Sequence, residues 1–186
     1  MAKEQRSGAS RPALMRHVAL VGLMGAGKSA IGRRVATAIG ARFRDADREI
    51  EKAAGMSIAE IFEMRGEAEF RDGERRVIAR LLDEPPFILA TGGGAFMDAS
   101  TRALLAERAT TIWMHAELDV LVKRCARRNN RPILKTGDPR TILAELIERR
   151  YPVYAEAALR IESRDEPHEV AVNEIARLLK ERGDLA

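Results

Sequence analysis

Residues 17–32, HVALVGLMGAGKSAIG, leave little freedom in what this chain can become. The apolar run HVALVG has the pattern of a strand buried on both faces, as in a parallel sheet. Gly22, Gly27, Lys28 and Ser29 then satisfy G-x-x-x-x-G-K-[ST], and Ile31, Val35 and Ile39 follow at helical spacing up to Gly40. Glycines let the backbone curl so that consecutive N–H groups point inward, and the start of the helix adds partial positive charge. Lys28 can reach β- and γ-phosphates, and the Ser29 hydroxyl is placed to ligate Mg²⁺. The stretch is expected to hold a nucleoside triphosphate. By itself it does not separate a kinase from a hydrolase or a switch.

The rest of the chain continues the alternation. ARFRD (41–45), FILAT (87–91), TTIWMH (110–115) and ALRIES (158–163) read as further strands. Helical pieces are expected from near Asp47, Ser57 and Glu67, over about 117–127, from Pro139 to Tyr154 and from His168 to Glu181. Strands alternating with helices predict an α/β domain around a parallel sheet. RRNNRPILKTGD (127–138) has the turn residues and polarity of a mobile loop. Residues 1–16 read as a disordered tail, and 17–186 as the folded domain.

Composition narrows the function classes. At 186 residues the chain suffices for one compact domain with a real core. A net charge of +4 favours anionic ligands, although mixed surface charge explains much of it. Aromatic residues are only 4% of the chain and the basic residues are scattered, so a base-stacking nucleic-acid surface is not expected. No apolar run approaches the roughly 20 residues that span a bilayer, and the first residues lack the apolar centre of a secretory signal. The single cysteine, Cys125, excludes an internal disulfide and fits a reducing cytoplasm. In VLVKRCARR it reads as a packing residue.

Four other segments carry possible chemistry. Asp45 and Asp47 in FRDAD fall at the carboxyl end of the second strand, the edge where open parallel sheets bind ligands. One could serve a metal and the other an acceptor hydroxyl, but a helix N-cap and a first-turn acid would account for both. In GEAEFRDGE, Arg71 and Glu74 lie one helical turn apart, so the glutamate can hold a guanidinium toward a carboxylate. An exposed ion pair of small value is the alternative. TGGGA bares the backbone at Gly92, Gly93 and Gly94, allowing close approach of a small ligand. Arg131 on the polar loop and Arg150 in RRYPVY complete the set, with a solvated basic loop as the plain reading of the former.

In order and spacing, GLMGAGKS, the DxD of FRDAD, GMSIAEIF…GEAEFR, ATGGGA, RPIL and R-x-P-x-Y resemble the shikimate kinase pattern from about His17 to Leu179. The phosphate loop alone is shared by many unrelated proteins, whereas the ordered set is specific. The resemblance implies a P-loop, nucleoside-monophosphate-kinase-like α/β fold. Its five-stranded parallel sheet would have order 2-3-1-4-5, flanked by helices, with a lid at about 127–138. It further implies that ATP phosphorylates the 3-hydroxyl of shikimate, giving shikimate 3-phosphate and ADP on the way to chorismate and the aromatic amino acids. ATP, Mg²⁺ and shikimate are the implied ligands, with no nucleic-acid or membrane partner, in a cytoplasmic monomer.

By position, the resemblance makes Asp47 the residue that binds the shikimate hydroxyls and assists deprotonation. Lys28 and the lid residue Arg131 complete the catalytic set. Asp45 and Ser29 fall to Mg²⁺. Arg71 and Arg150 clamp the shikimate carboxylate, with Gly92, Gly93 and Gly94 beside the substrate. The nucleotide falls to Gly25, Ala26, Gly27, Lys28, Ser29 and Ala30, to Arg131, and at adenine to Arg124 and Pro167. Two rival readings remain. One is a gluconate kinase-like enzyme of the same fold, against which Arg71, the three glycines and Arg150 stand. The other is a non-catalytic regulator sensing shikimate or ATP, against which Lys28, Asp47 and Arg131 stand.

Overall fold

Five short strands pair side by side in a parallel sheet, as their apolar runs require. They are β1 (His17–Val21), β2 (Arg42–Asp45), β3 (Phe87–Ala90), β4 (Ala109–His115) and β5 (Leu159–Glu162). Their order is 2-3-1-4-5, as expected, and every pair is parallel. β1 and β3 are buried at every position because both faces are covered by helices. This computed structural model describes residues 14–127 and 137–186.

The helices are α1 (Lys28–Ile39), α2 (Ala46–Ala54), α3 (Ile58–Leu81), α4 (Ala99–Arg108), α5 (Leu118–Ala126), α6 (Pro139–Tyr154) and α7 (His168–Glu181). α1 stops at Gly40, whose positive φ of 69° closes the last turn. Within α1, Gly32 lets the helix lie close on the sheet: a Cβ there would sit 2.9 Å from both Leu20 Cδ1 and Phe43 Cε2. α3 opens with a capping box between Ser57 and Glu60 and breaks at Gly66, where φ is 80° and ψ 172°. The two expected helical pieces from Ser57 and Glu67 are thus both present, on either side of the non-helical Gly66 within α3. A 3₁₀ turn, Ala95–Met97, and α4 follow the three glycines.

Parallel pairing puts the carboxyl ends of all five strands on one edge. β1 delivers the phosphate loop there, β2 delivers Asp45, and β3 delivers Gly92–Gly94. Thr91 locks this edge, donating from both its backbone N–H and its hydroxyl to Leu20 O at 3.1 and 3.0 Å.

The expected tail covered residues 1–16, of which 1–13 lie outside the described residues. Leu14 forms a bridge with Leu185, and the Met15 N–H donates to Asp184 O at 2.8 Å. These last residues belong with the folded body rather than with a tail. The expected lid, about 127–138, falls largely in 128–136, outside the described residues, and Arg131 with it. No helix among the described residues is long and apolar enough to cross a membrane.

Candidate active site

The phosphate loop turns on Gly22, Gly25 and Gly27, all at positive φ, where a side chain would be strained. At Gly22, with φ 139°, a Cβ would lie 2.8 Å from Met114 O, against the neighbouring strand. At Gly27, φ is 92°, a region that side chains disfavour, and α1 starts at the next residue. Gly25, Ala26 and Gly27 thus form the turn, while Lys28, Ser29 and Ala30 occupy the first helical turn, where backbone N–H groups lack intrahelical partners. Lys28 Nζ donates to Gly22 O at 2.7 Å and to Leu23 O at 3.0 Å, so the ammonium curls over its own loop.

Arg124 and Ser163 buttress this loop from α5 and the end of β5. Arg124 donates to Gly25 O at 3.2 Å and to Ser163 Oγ at 2.8 Å, and Ser163 Oγ donates to Ala26 O at 2.8 Å. Pro167 lies at the N-terminal boundary of α7. Together with Ile31, Ser163 and His168, Arg124 and Pro167 line one recess beside the loop. Cys125 is buried, and its Sγ is 2.9 Å from where a Gly25 Cβ would stand, which gives it the expected packing role.

The second half of the site faces this loop. Asp45 ends β2 at the cap position of α2, yet its side chain makes no capping bond, so the N-cap explanation fails for it. Asp47, in the first turn of α2, is exposed, and it stands beside the glycine turn. The surrounding protein nevertheless raises its pKa above 3.8, with the Asp45 charge adding to the rise and Lys28 and Arg71 opposing it. All four groups therefore share one electrostatic neighbourhood.

Arg71 and Glu74 are not the exposed ion pair of small value. Glu74 is 2% exposed, and its Oε2 accepts from Arg71 Nη1 at 2.7 Å. Burial raises the Glu74 pKa against the pull of Arg71. Arg71 also leans on Glu67 at 3.3 Å. The other Glu74 oxygen, Oε1, has no hydrogen-bond partner among the described residues. It lies 2.7 Å from where a Gly92 Cβ would stand, and Asp47 Oδ1 lies 2.9 Å from the same point. At Gly94 a Cβ would be 2.6 Å from Arg71 Cζ. The bare turn thus admits two carboxylates at its start and a guanidinium at its end.

From the other side, Arg150 Nη1 donates to Gly93 O at 2.9 Å, and the Tyr154 hydroxyl donates to the same oxygen. Tyr154 is fully buried, which pushes its pKa up to about 12 and keeps it a donor at neutral pH. Neither Tyr154 nor Ser163 was given a role from the sequence, although Tyr154 closes the R-x-P-x-Y run that begins at Arg150. Tyr154 carried two signals, its place in that run and its i+4 spacing from Arg150 on α6. Ser163 carried none. Of the residues expected to act together, Lys28, Asp47, Arg71, Gly92–Gly94 and Arg150 converge, with Ser29 and Asp45 at the same sheet edge.

A triphosphate loop, an acidic pair and two guanidiniums on one glycine turn define a P-loop kinase for a small anionic acceptor. The sequence profile of shikimate kinase matches residues 24–180. The shikimate kinase of Caulobacter vibrioides (strain NA1000 / CB15N) is 55% identical over 170 residues, covering 91% of this chain and 85% of that protein. That of Brucella canis is 56% identical over 162 residues, covering 87% and 81%. Among solved structures, shikimate kinase from Acinetobacter baumannii in complex with shikimate is 35% identical, with a TM-score of 0.86 over 90% of this chain and 94% of that one. A gluconokinase from Sinorhizobium meliloti, at 19% identity and TM-score 0.60 over 91% of this chain and 96% of that one, shares the fold alone. The chain belongs to the shikimate kinase family.

Proposed function

We propose that the groups gathered around Gly92–Gly94 hold shikimate and present its 3-hydroxyl to the phosphate loop. The reaction is that of the family: ATP phosphorylates the 3-hydroxyl of shikimate, giving shikimate 3-phosphate and ADP. The observation that carries the assignment is that Arg71 and Arg150 approach one bared turn from α3 and α6, and that Asp47, within reach of the Lys28 and Arg71 charges, abuts the same turn. Planar guanidiniums suit a carboxylate and would anchor the ring from its far end. Asp47, with a raised pKa and an oxygen facing Gly92, accepts the proton of the attacking hydroxyl. Lys28 leaves its loop carbonyls for the phosphates, and its charge is then nearest the group in flight.

Mg²⁺ suits the residues present. The neighbouring carboxylates of Asp45 and Asp47 repel each other, and a hard dication beside Asp45 and the Ser29 hydroxyl relieves that repulsion. Its chemistry would be charge neutralisation on the phosphates, and such an ion commonly keeps only one or two protein ligands. Arg131 is assigned to the phosphates by the family pattern of RPIL, within a lid at about 127–138. Arg124 and Pro167 are assigned to adenine, supported by their shared recess beside the loop. The single thiol, buried at Cys125, accords with a reducing cytoplasm.

The test is ADP release with ATP, Mg²⁺ and each of shikimate, gluconate and AMP. Turnover should require shikimate. Equal turnover with gluconate would transfer the site to another acceptor.

A further inference from the structure

A cleft of about 310 Å³ opens between α2 and α3, lined by none of the groups described above. Its floor is apolar, with Ile50 and Ala53 from α2 and Ile61 and Val77 from α3. Its rim carries Arg65, Arg76 and Arg80, with Glu69 as the one acid among the lining residues. Arg65 is paired with Glu69 and Arg76 with Asp72, each at 3.2 Å. The Arg80 guanidinium makes no ion pair or hydrogen bond among the described residues, although its charge reaches Glu84. Gly73 lies on the same wall, and a Cβ there would meet nothing within 4 Å.

Position on α3 separates this cleft from the active site. Glu69, Gly73, Arg76 and Arg80 succeed one another by three and four residues and share one helical face. Arg71 and Glu74 share another, roughly half a turn away at 3.6 residues per turn. The volume is at the lower end of those that hold small molecules, roughly 300–1,000 Å³. An apolar floor under a surplus of guanidiniums selects an occupant with a flat hydrophobic body and a planar anionic end.

We propose that the cleft between α2 and α3 is a second binding site for a compact apolar monocarboxylate, its ring on Ile50, Ala53 and Val77 and its carboxylate on Arg76 and Arg80. The occupant touches both helices that present Asp47 and Arg71. It therefore couples to acceptor binding by fixing how those helices sit against each other. Coupling of this kind is reciprocal: each ligand changes the affinity of the other by one and the same factor. The coupling rests on Asp47 and Arg71 as acceptor-binding groups, whereas the binding itself does not.

The experiment uses 2-naphthoate as the probe in calorimetric titrations of the full chain. Gly73→Leu fills the cleft from its open wall and replaces a helix-interior glycine by a better helix former. Arg80→Gln removes the cation. One equivalent of naphthoate should bind the wild type, and each variant should weaken that binding at least tenfold. Both variants should bind ATP and, without naphthoate, shikimate within twofold of the wild type. Saturating naphthoate should change the shikimate Kd at least threefold in the wild type and leave it unchanged in Gly73→Leu. Absence of naphthoate binding overturns the proposal, as does binding that both variants leave intact. An unchanged shikimate Kd overturns the coupling. Failure of the wild type to bind shikimate at all falls on the active-site assignment instead, since naphthoate binding is scored separately.

Discussion

At Gly94 the absent side chain is what lets Arg71 reach the substrate turn. A methyl group there would stand 2.6 Å from Arg71 Cζ, so in Gly94→Ala the guanidinium must leave its place. A charge-assisted hydrogen bond is worth roughly 1.5–3 kcal/mol, so the KM for shikimate should rise roughly ten- to a hundredfold. The KM for ATP should stay near wild type, because neither residue is on the phosphate loop. Arg71→Lys should give a similar pattern, since an ammonium lacks the planar fork. Steady-state kinetics with each substrate varied in turn decide this, and an unchanged shikimate KM in Gly94→Ala would refute the placement of Arg71. Asp47 permits a second test at this scale. Burial, then the Asp45 charge, raises its pKa above 3.8, and it must be ionised to take a proton. Activity should therefore climb with pH through an apparent value above 3.8, shared with its neighbour as coupled carboxylates share protons. Asp47→Asn should lower kcat by about 10²–10⁴ and remove that limb from the pH–rate profile. A limb that persists unchanged in the variant belongs to another group.

Among the elements, β1, the phosphate loop and α1 were legible because each is specified by residues adjacent in the chain. The apolar run, the glycines and the three-and-four spacing agree with one another, and the ends fall where Gly27 and Gly40 put them. Arg71–Glu74 was legible as a pair for the same local reason. Its burial was not, because it depends on the wall at Gly92. No role could be read for Ser163, or for Tyr154 within R-x-P-x-Y, because Ser163 bonds to Ala26 and Tyr154 to Gly93, partners 137 and 61 residues away. The break at Gly66 was legible, since a glycine followed by a new apolar period marks it locally. α1 itself carries a test of packing. Gly32→Ala places a methyl group 2.9 Å from two side-chain tips, which can shift, and gains roughly 1 kcal/mol of helix propensity. Stability should change by about 1 kcal/mol or less. Gly32→Val adds two further carbons and a branch while giving up much of that propensity gain, so overpacking should prevail at about 1–3 kcal/mol of destabilisation. Urea midpoints for the two variants check the ordering, and equal midpoints would mean that α1 does not press on Leu20 and Phe43.

On the scale of the whole molecule, the acceptor site joins parts of the chain that the sheet alone does not connect. Arg71 comes from α3, Arg150 from α6, and both meet the turn after β3. Shikimate bound between them should therefore link folding to binding, independently of turnover. A ligand that binds only the folded state adds RT ln(1 + [L]/Kd), about 2.7 kcal/mol at a hundredfold excess over Kd. For a chain of this size each kcal/mol moves Tm by roughly 2–4 °C, so saturating shikimate should raise Tm by about 5–11 °C. ATP should give its own increment through the phosphate loop. In Arg150→Ala, the Gly93 carbonyl keeps the Tyr154 donor, so the turn should persist while the carboxylate loses one of its two cations. At the same ligand concentrations, the shikimate increment should then fall by at least half while the ATP increment stays whole. Thermal scans of both proteins, each with no ligand, shikimate alone and ATP alone, read the two increments separately. A variant that keeps the full shikimate increment would place the carboxylate away from Arg150, and one that loses both would show that Arg150 supports the fold rather than the ligand.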